Sequence, residues 1–421
     1  MKKSLFALAA VGAFAGAAQA QSSVTVYGIM DVGFTGGQAR AGASKEQVNR
    51  FSNSMESGSR LGFRGNEDLG GGLSAQFVFE LGINPAGDNM SNTWTPNIRQ
   101  GFVGLSQKGL GTARIGTQNT LFWEQAGGNT TGQLAQTAGS MLAPTIVGPF
   151  YGTTALNQST DLSFANQAAN NLSSGSSSAA YTVRTPNTIN FRTERMAGVV
   201  VKASWTQSDS NSTFLATRGT GANASGYRAG TNNQQGWQAA LDWNIQKANI
   251  QASYAAFKSE NPYGNIVYGV NANGGAQTLT QAGNPQAWGP TGGVNVNDTQ
   301  ALVTASYDFG ILKAYAGWTN RKVSSVINSN EFAKRTAQEI GVRGYVTKTI
   351  EGWASVGNGR YTAYGSGSPT ANITGYQVGS NYWLSKRSNL YAIYGQNGTS
   401  GTSAAPAMNI SQYSVGIRHT F

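Results

Sequence analysis

Five arginine side chains are the groups in this chain of 421 residues whose type and placement could do chemistry together. A guanidinium group stays protonated at any pH relevant to a cell, and its planar set of donors matches the oxygens of a carboxylate or a phosphate. Such groups along a water-filled path would attract anions and release them again. The candidate anion contacts are Arg60, Arg99, Arg114, Arg184 and Arg192. The alternative for any one of them is a pairing with Glu80, Asp31 or loop backbone.

Other charged residues occupy polar positions of the same kind along the chain. The further basic candidates are Arg64, Lys202, Lys313, Arg343 and Arg418. The acidic candidates are Asp31, Glu80, Asp242, Asp308 and Glu339. Basic groups outnumber acidic ones, so the path that they line would carry an excess of positive charge and concentrate anions.

These side chains need elements with one polar and one apolar face, and the sequence alternates with a period of two residues from position 24 to the end. The last segment, 411–421, places Ile417 and Phe421 on its apolar face and Arg418 on its polar face. No segment has a convincing helical periodicity. The pattern predicts sixteen strands, at 24–34, 59–66, 72–83, 98–105, 112–117, 187–193, 198–206, 236–244, 248–257, 299–308, 311–320, 336–346, 350–358, 373–384, 388–396 and 411–421.

The connections between these strands alternate strictly between short and long. The short ones are tight turns such as 309–310 and 347–349, whereas the long ones, such as 35–58, 207–235 and 118–186, are rich in Gly, Asn, Ser and Thr. A transmembrane β-barrel has this asymmetry, with short periplasmic turns and long extracellular loops. A soluble β-sandwich or propeller gives no reason for it. The sequence therefore predicts an all-β fold, a sixteen-stranded antiparallel transmembrane barrel.

Composition excludes several other classes of protein. Only 11% of the residues are charged, glycine occurs 56 times, and no internal stretch contains the roughly 18–20 apolar residues that a spanning helix needs. The chain has no cysteine and a single histidine, His419, which lies on the apolar register of the last strand. A histidine-based triad or a metal cluster is therefore not available, and we expect no enzymatic activity, no metal and no cofactor.

The N-terminus predicts export from the cytoplasm. Lys2 and Lys3 precede a run of small and apolar residues that ends in Ala18-Gln19-Ala20, the form of a signal-peptidase site. We expect a signal peptide at 1–20 and a single mature barrel domain at 21–421. An exported chain whose basic residues are scattered singly is not expected to bind nucleic acid.

Several segments resemble the trimeric general porins of Gram-negative bacteria, in particular the β-proteobacterial and neisserial branch. The similar stretches span most of the mature chain and include VTVYGIMD (24–31), SRLGFRGNEDLGGGLSAQFVFELG (59–82), RQGFVGL (99–105), GLGTARIG (109–116), RTPNTINF (184–191), LSKRSNLYAIY (384–394) and SVGIRHTF (414–421). One departure is Thr117. The family often has an arginine at this position, directly after the glycine that corresponds to Gly116.

The resemblance implies a homotrimer in the outer membrane, surrounded by lipid and lipopolysaccharide. It implies a third long loop, here 118–186, that folds into the lumen and faces the wall arginines with acidic residues. The acids of that loop are Glu124 and Asp161. The resemblance also implies that Phe421 is part of the signal read by the outer-membrane insertion machinery.

The function expected from these features is passive diffusion of small hydrophilic solutes, anionic or neutral, and of ions, with a preference for anions. The alternative is a channel specific for a sugar or an organic or aromatic acid. Its long third loop would then act as a gate through aromatic residues such as Phe122, Trp123 and Phe150. A third interpretation is a structural barrel with a plugged lumen.

Overall fold

The computed structural model describes residues 23–86, 97–133, 135, 137–142, 183–207, 212–218, 227–261, 294–325, 332–364, 370–401 and 407–421. Within these residues the chain forms one antiparallel sheet of eighteen strands and one short helix. The first strand also pairs with the last, so the sheet closes into a barrel. Closure removes the free edges of the sheet where it crosses lipid, which is the condition for a transmembrane sheet, whereas β2 and β9 each pair with a single neighbouring strand among the described residues.

The strands are numbered in chain order. Their bounds are β1 Ser23–Ala41, β2 Ser44–Asn53, β3 Arg60–Gly70, β4 Leu73–Gly82, β5 Asn97–Gln107, β6 Gly111–Asn119, β7 Arg184–Thr193, β8 Val199–Gln207, β9 Ser212–Arg218, β10 Tyr227–Ile245, β11 Ala248–Asn261, β12 Val294–Asp308, β13 Lys313–Ser325, β14 Phe332–Tyr345, β15 Ile350–Tyr364, β16 Thr370–Trp383, β17 Ser388–Thr399 and β18 Met408–Thr420. The helix α1 is Leu121–Gly128, between β6 and β7.

The barrel wall has sixteen strand positions, as the sequence predicts. β2 and β3 lie end to end and together occupy one strand position in the wall, because both pair with β1. β8 and β9 likewise both pair with β10. Several long-loop predictions are wrong in part. Strand extensions occupy the ends of long connections such as 118–186, and two connections contain hairpins: 35–58 contains the end of β1 and all of β2, and 207–235 contains β9 and the start of β10. These hairpins extend above the apolar band, where polar side chains give no alternation to recognise.

Alternation along each strand separates a lipid face from a lumen face. Trp205 and Trp237 are cross-strand partners and are 43% and 48% exposed, whereas the next pair, Ser204 and Gln238, is buried inside the barrel. The ring of Tyr254 lies against Trp237, with centroids 5.5 Å apart. Large apolar side chains therefore cover the outside of the barrel, and amides and hydroxyls line its inside, as lipid and water require.

The short turns have a local cause. In the turn between β3 and β4, three consecutive glycines, Gly70, Gly71 and Gly72, have positive φ angles, a conformation that other residues rarely adopt. The carboxylate of Asp68 accepts a hydrogen bond from the Gly70 nitrogen at 2.9 Å.

The one helix among the described residues is not long and apolar enough to cross a membrane.

Candidate functional site

The helix α1 lies inside the barrel, directly after β6. Its first turn is capped by Thr120, whose side-chain oxygen accepts a hydrogen bond from the nitrogen of Trp123 at 3.1 Å. Its buried face packs Phe122 and Ala126 against Leu302 of β12. The amide of Gln125 donates to the carbonyl oxygens of Leu241 and Ala252 on the wall, at 3.0 and 2.9 Å. These contacts hold the helix against one side of the lumen.

The segment after α1 continues along the inner wall. The side chain of Asn129 reaches Thr304 on β12, and the carboxylate of Glu339 on β14 accepts a hydrogen bond from the nitrogen of Met141 at 2.7 Å. A Cβ at Gly139, where φ is 118°, would collide with the carbonyl oxygen of Tyr376. The prediction that the third loop enters the lumen is therefore confirmed for its described part, up to residue 142.

Three of the predicted arginines meet on one side of the lumen. Arg60 and Arg99 share the carboxylate of Glu80, with the guanidinium nitrogens 3.9 and 2.7 Å from its Oε1. The hydroxyl of Tyr27 donates to the other oxygen of Glu80 at 3.1 Å. Arg184 is at the start of β7 and within electrostatic range of Arg60 and Arg99. One carboxylate thus serves several guanidinium groups, and this cluster keeps a positive charge.

A second group joins the wall to the third loop. Glu124 of α1 accepts a hydrogen bond from Nη2 of Arg192 at 2.9 Å and another from Nζ of Lys202 at 3.0 Å. Burial alone would raise the pKa of the Glu124 carboxyl, but the two cations hold that pKa below its ordinary value of 4.5. Glu124 is therefore ionised at neutral pH and attaches α1 to β7 and β8.

Arg114 and Arg184 complete the row of basic groups. The Nε atom of each is buried and lacks a hydrogen-bond partner among the described residues. The guanidinium carbon of Arg114 lies 4.9 Å from the centroid of the Phe102 ring, which stabilises the charge without neutralising it. Neither Arg114 nor Arg184 forms an ion pair with a carboxylate among the described residues, so both can attract a passing anion through their charge.

The other predicted lumen charges also face inward, but most have local partners. Arg343 pairs with Glu351 through two hydrogen bonds of 2.7 and 2.9 Å. Arg418 lies 3.4 Å from Glu56. The two remaining basic candidates stack on aromatic rings: Arg64 lies over Tyr27, and Lys313 lies over Tyr315. Asp161 lies outside the described residues.

Sequence reasoning missed an inward turn between β2 and β3. Asp31 accepts hydrogen bonds from the nitrogens of Glu56 and Ser57 and from the hydroxyl of Tyr391, at 2.9, 2.7 and 2.7 Å. Glu56 in turn accepts from Asn381 and from Asn389 at 2.8 and 2.9 Å. The serine-rich stretch SNSMESGS at 52–59 is the one signal that could have indicated a turn.

Sequence reasoning also missed an ion pair near the long-loop rim. Arg321 donates two hydrogen bonds to Asp298, the shorter at 2.6 Å. Arg335 donates to the carbonyl oxygen of Met141 in the third loop. Both arginines belong to strand extensions that the sequence pattern left in loops. Within the described residues no group of three or more acidic or histidine side chains could hold a metal ion.

The last residue takes part in barrel closure. The nitrogen of Phe421 donates to the carbonyl oxygen of Gly28 at 3.1 Å, and the Gly28 nitrogen donates to the carbonyl oxygen of Phe421 at 3.0 Å. The Phe421 ring covers Gly28, where a Cβ would collide with it. His419 stacks on the same ring, with centroids 6.5 Å apart. The chain end is thus a structural part of the seam between β1 and β18.

Comparison of the sequence with known families and proteins identifies relatives. A family profile described as Gram-negative porin matches residues 7–402. The chain is 39% identical over 132 residues to an outer membrane porin protein of Bordetella pertussis, which is 29% of this chain and 34% of that protein. It is 43% identical over 116 residues to outer membrane porin protein 32 of Delftia acidovorans, which is 28% and 31% of the two chains. These matches span about a third of the length of the curated relatives.

Solved structures with the same fold cover nearly the whole chain. The anion-selective porin from Comamonas acidovorans superposes with a TM-score of 0.63 at 21% identity, over 95% of this chain and 100% of that one. The trimer form of OmpT from Vibrio cholerae superposes with a TM-score of 0.55 at 13% identity, over 95% and 99% of the two chains. At these identities the likeness is one of fold.

Proposed function

Because the chain belongs to the Gram-negative porin family and resides in the outer membrane, we propose that it is a water-filled channel for the passive diffusion of small hydrophilic solutes and ions, with a preference for anions. The observation that carries this proposal is the row of arginines on one side of the lumen. Two of them, Arg114 and Arg184, form no ion pair with a carboxylate among the described residues, whereas Arg60, Arg99 and Arg192 do. A solved structure with the same fold belongs to an anion-selective porin, which supports the proposal.

The electrostatic arrangement explains the direction of the preference. Arg60 and Arg99 lie beside one carboxylate, that of Glu80, and Arg184 is within electrostatic range of all three groups. Charges that face a narrow water path between low-dielectric walls act over a longer range than charges at a free surface. An anion that passes this side of the lumen exchanges water for guanidinium donors, whereas a cation is repelled. Arginine suits this role because no physiological pH removes its charge.

Reversal potentials across a planar bilayer in a potassium chloride gradient test the proposal. We expect the potential to have the sign of chloride permeation. A potential of the cation-permeable sign would overturn the anion preference, and the absence of any conductance would overturn the channel itself and favour a plugged, structural barrel.

Swelling of liposomes in sugars and organic anions of graded size separates the general channel from a solute-specific one. A smooth size cutoff is expected for general diffusion, and saturable uptake of one solute would indicate specificity. Among the aromatic residues that could form a gate, Phe122 is buried against the wall, Trp123 is partly buried, and Phe150 lies outside the described residues. The burial of Phe122 favours the general channel.

The assembly that we propose is a homotrimer. The outer surface of the early strands carries an apolar groove lined by Val24, Phe77, Val103, Leu105 and Ile115. The ring of Phe77 lies over Gly65 on the same surface, which adds to the apolar area that a neighbouring barrel could cover. The known trimer form of a protein with this fold supports the assignment. A trimer band on gels that disappears on boiling is the expected result.

Two further proposals concern the ends of the chain. We propose that residues 1–20 are a signal peptide, so that the mature barrel begins at Gln21; N-terminal sequencing of the outer-membrane form tests this directly. We also propose that Phe421 contributes to recognition by the outer-membrane insertion machinery, in addition to its place in the barrel seam.

A further inference from the structure

The inward turn between β2 and β3, residues 54–59, leaves the barrel wall at the middle of β1. β1 pairs with β3 up to Ile29 and with β2 from Val32 onward, so the turn projects into the lumen beside Asp31. Its first residue, Ser54, has a φ of 68°, which residues other than glycine rarely adopt. A backbone strained in this way persists only where the surrounding contacts impose it, and such residues are concentrated at functional positions.

Buried polar contacts fix the inward turn to the wall. The carboxylate of Asp31 accepts hydrogen bonds from two backbone nitrogens of the turn, and the carboxylate of Glu56 accepts from Asn381 on β16 and Asn389 on β17. Asp31 and the two asparagines are fully buried. Because a buried polar group without a partner is costly, these contacts together hold the turn in one position.

One side of the inward turn contacts the third loop. Met55 is 8% exposed and lies in a buried apolar cluster with Ala135 of that loop and with side chains of the wall. The amide of Gln412 on β18 joins the two segments. Its Nε2 atom donates to Sδ of Met55 at 3.6 Å, and its Oε1 atom accepts from the nitrogen of Ala138 at 3.0 Å. The path of the third loop at 135–138 therefore depends on the position of the turn.

The other side of the inward turn contacts the arginines of the lumen. Nη2 of Arg60 donates to the hydroxyl of Ser57 at 2.9 Å. The guanidinium group of Arg99 lies against Gly58, where an added Cβ would be only 2.9 Å from Nη1. The absence of a side chain at this glycine lets Arg99 lie where it reaches Glu80 at 2.7 Å. The turn therefore determines where two arginines of the cluster around Glu80 are placed.

We propose that the inward turn positions both sides of the water path. Met55 holds the third loop, Gly58 sets the place of Arg99, and the width of the path and the location of its positive charge are thus fixed by one segment. The turn contains a single charged side chain, Glu56, which amides of the wall already bind. It therefore acts on permeation through position rather than through its own charge. This role rests on the proposed channel function and adds residues that determine its selectivity.

The substitution Gly58→Ala tests the placement of the arginines without a change of charge. The added Cβ meets the end of a flexible side chain, so we expect Arg99 to move and the backbone to stay. Arg99 then leaves Glu80, whose charge is no longer compensated at close range. A displacement of a unit charge by a few ångströms corresponds to a chloride-to-potassium permeability ratio lowered about two- to five-fold. Reversal potentials across a planar bilayer measure this ratio.

The matched control for this variant is Gly101→Ala on β5. Gly101 pairs with Phe79, which is 41% exposed, and so lies on the outer face of the barrel. A Cβ added there makes only ordinary contacts, the nearest at 3.5 Å. The control adds the same methyl group close to Arg99 in sequence, and we expect it to keep the parental permeability ratio.

The substitution Met55→Ala tests the contact with the third loop, again without a change of charge. We expect the open-channel current noise of single channels to rise at least about two-fold, because the loop loses a buried contact and fluctuates more. Met55→Leu keeps the volume of the side chain and is expected to keep the parental noise. Ile393→Ala removes a wall side chain from the same cluster and is expected to lower stability to urea while the noise stays parental.

The two variants can each overturn the proposal. A parental permeability ratio in Gly58→Ala would show that the turn does not place the arginines. Parental noise in Met55→Ala, or an equal rise in Ile393→Ala, would show that the turn does not hold the third loop. A parent protein without anion preference would refute the proposed selectivity instead, while the noise measurements would still test the turn.

Discussion

The carboxylate of Glu124 lies 2.9 Å from Nη2 of Arg192 and so connects the lumenal helix α1 to the wall strand β7. Lys202 on β8 holds the other oxygen of the same carboxylate at 3.0 Å. This one acid therefore has two effects. It fixes the position of the third loop, and it neutralises part of the basic wall.

Removal of this carboxylate is expected to increase the anion preference. In Glu124→Gln, Arg192 and Lys202 lose their partner and their charges face the water path. A change of about 0.5–1 kcal/mol in the free energy of an ion at this point corresponds to a chloride-to-potassium permeability ratio raised about two- to five-fold. Bilayer reversal potentials measure the ratio, and Glu194→Gln, at an exposed turn, is the control. A permeability ratio that falls would contradict the conclusion that Glu124 neutralises part of the basic wall.

Substitution of the two candidate arginines that form no ion pair among the described residues is expected to lower the anion preference. Arg114→Gln with Arg184→Gln removes two positive charges that no described carboxylate pairs with. We expect the chloride-to-potassium permeability ratio to fall by at least about five-fold, since two full charges leave the lumen. The control is Lys247→Gln, at an exposed turn outside the lumen. If the double variant keeps the parental permeability ratio, as the control is expected to do, the arginine row does not determine selectivity.

Arg99 is expected to matter for stability as well as for selectivity. Arg99→Gln leaves the buried Glu80 with a guanidinium partner only at 3.9 Å, and we expect a loss of about 2 kcal/mol in the free energy of unfolding. The double substitution with Glu80→Gln should recover part of this loss, because no buried carboxylate is then left without its close partner. Urea unfolding in detergent measures both. Arg64→Gln, at an exposed position, should change the free energy by less than about 0.5 kcal/mol, and an Arg99 variant with equally small effect would refute the prediction.

Acidification is expected to release the third loop from β7 and β8. The pKa of Glu124 is lowered in the folded protein, so its ion pairs contribute their full stability above the ordinary value of 4.5 and lose it as the pH falls through the lower folded value. We therefore expect conductance and ion selectivity to change below pH 4.5 as Glu124 becomes protonated. The same titration of Glu124→Gln should lack this transition; its persistence would assign the change to another group.

The chain end is expected to affect assembly more than permeation. Deletion of Phe421 removes the two backbone hydrogen bonds to Gly28 and the ring that covers this glycine. We expect a reduced yield of heat-modifiable trimer on gels, while the barrels that do assemble conduct normally. Gly28→Ala is a second way to disturb the same contact, since the added Cβ meets the Phe421 ring. A normal trimer yield from both variants would exclude this role.

The sequence by itself determined the architecture and the charge of the lumen. Period-two alternation, as in Trp237 beside Gln238, reveals which side of a strand faces lipid, because water and hydrocarbon make opposite demands on neighbouring residues. The same parity rule assigned Arg60, Arg114, Arg192 and the other basic wall residues to the lumen, where they lie. The parity rule fails at the ends of strands, because both faces of the sheet meet water there. For this reason the sequence pattern predicts loops where β2 and β9 form.

The tertiary structure alone decided which of these charges remain available. Residues far apart in sequence, such as Glu124 and Lys202 or Arg418 and Glu56, become partners only when the third loop and the turn before β3 fold into the lumen. The local sequence pattern contains no information about such pairings, since they depend on where a loop that folds into the lumen contacts the barrel wall. For the same reason Arg343 is neutralised by Glu351, whereas Arg114 and Arg184 have no carboxylate partner among the described residues.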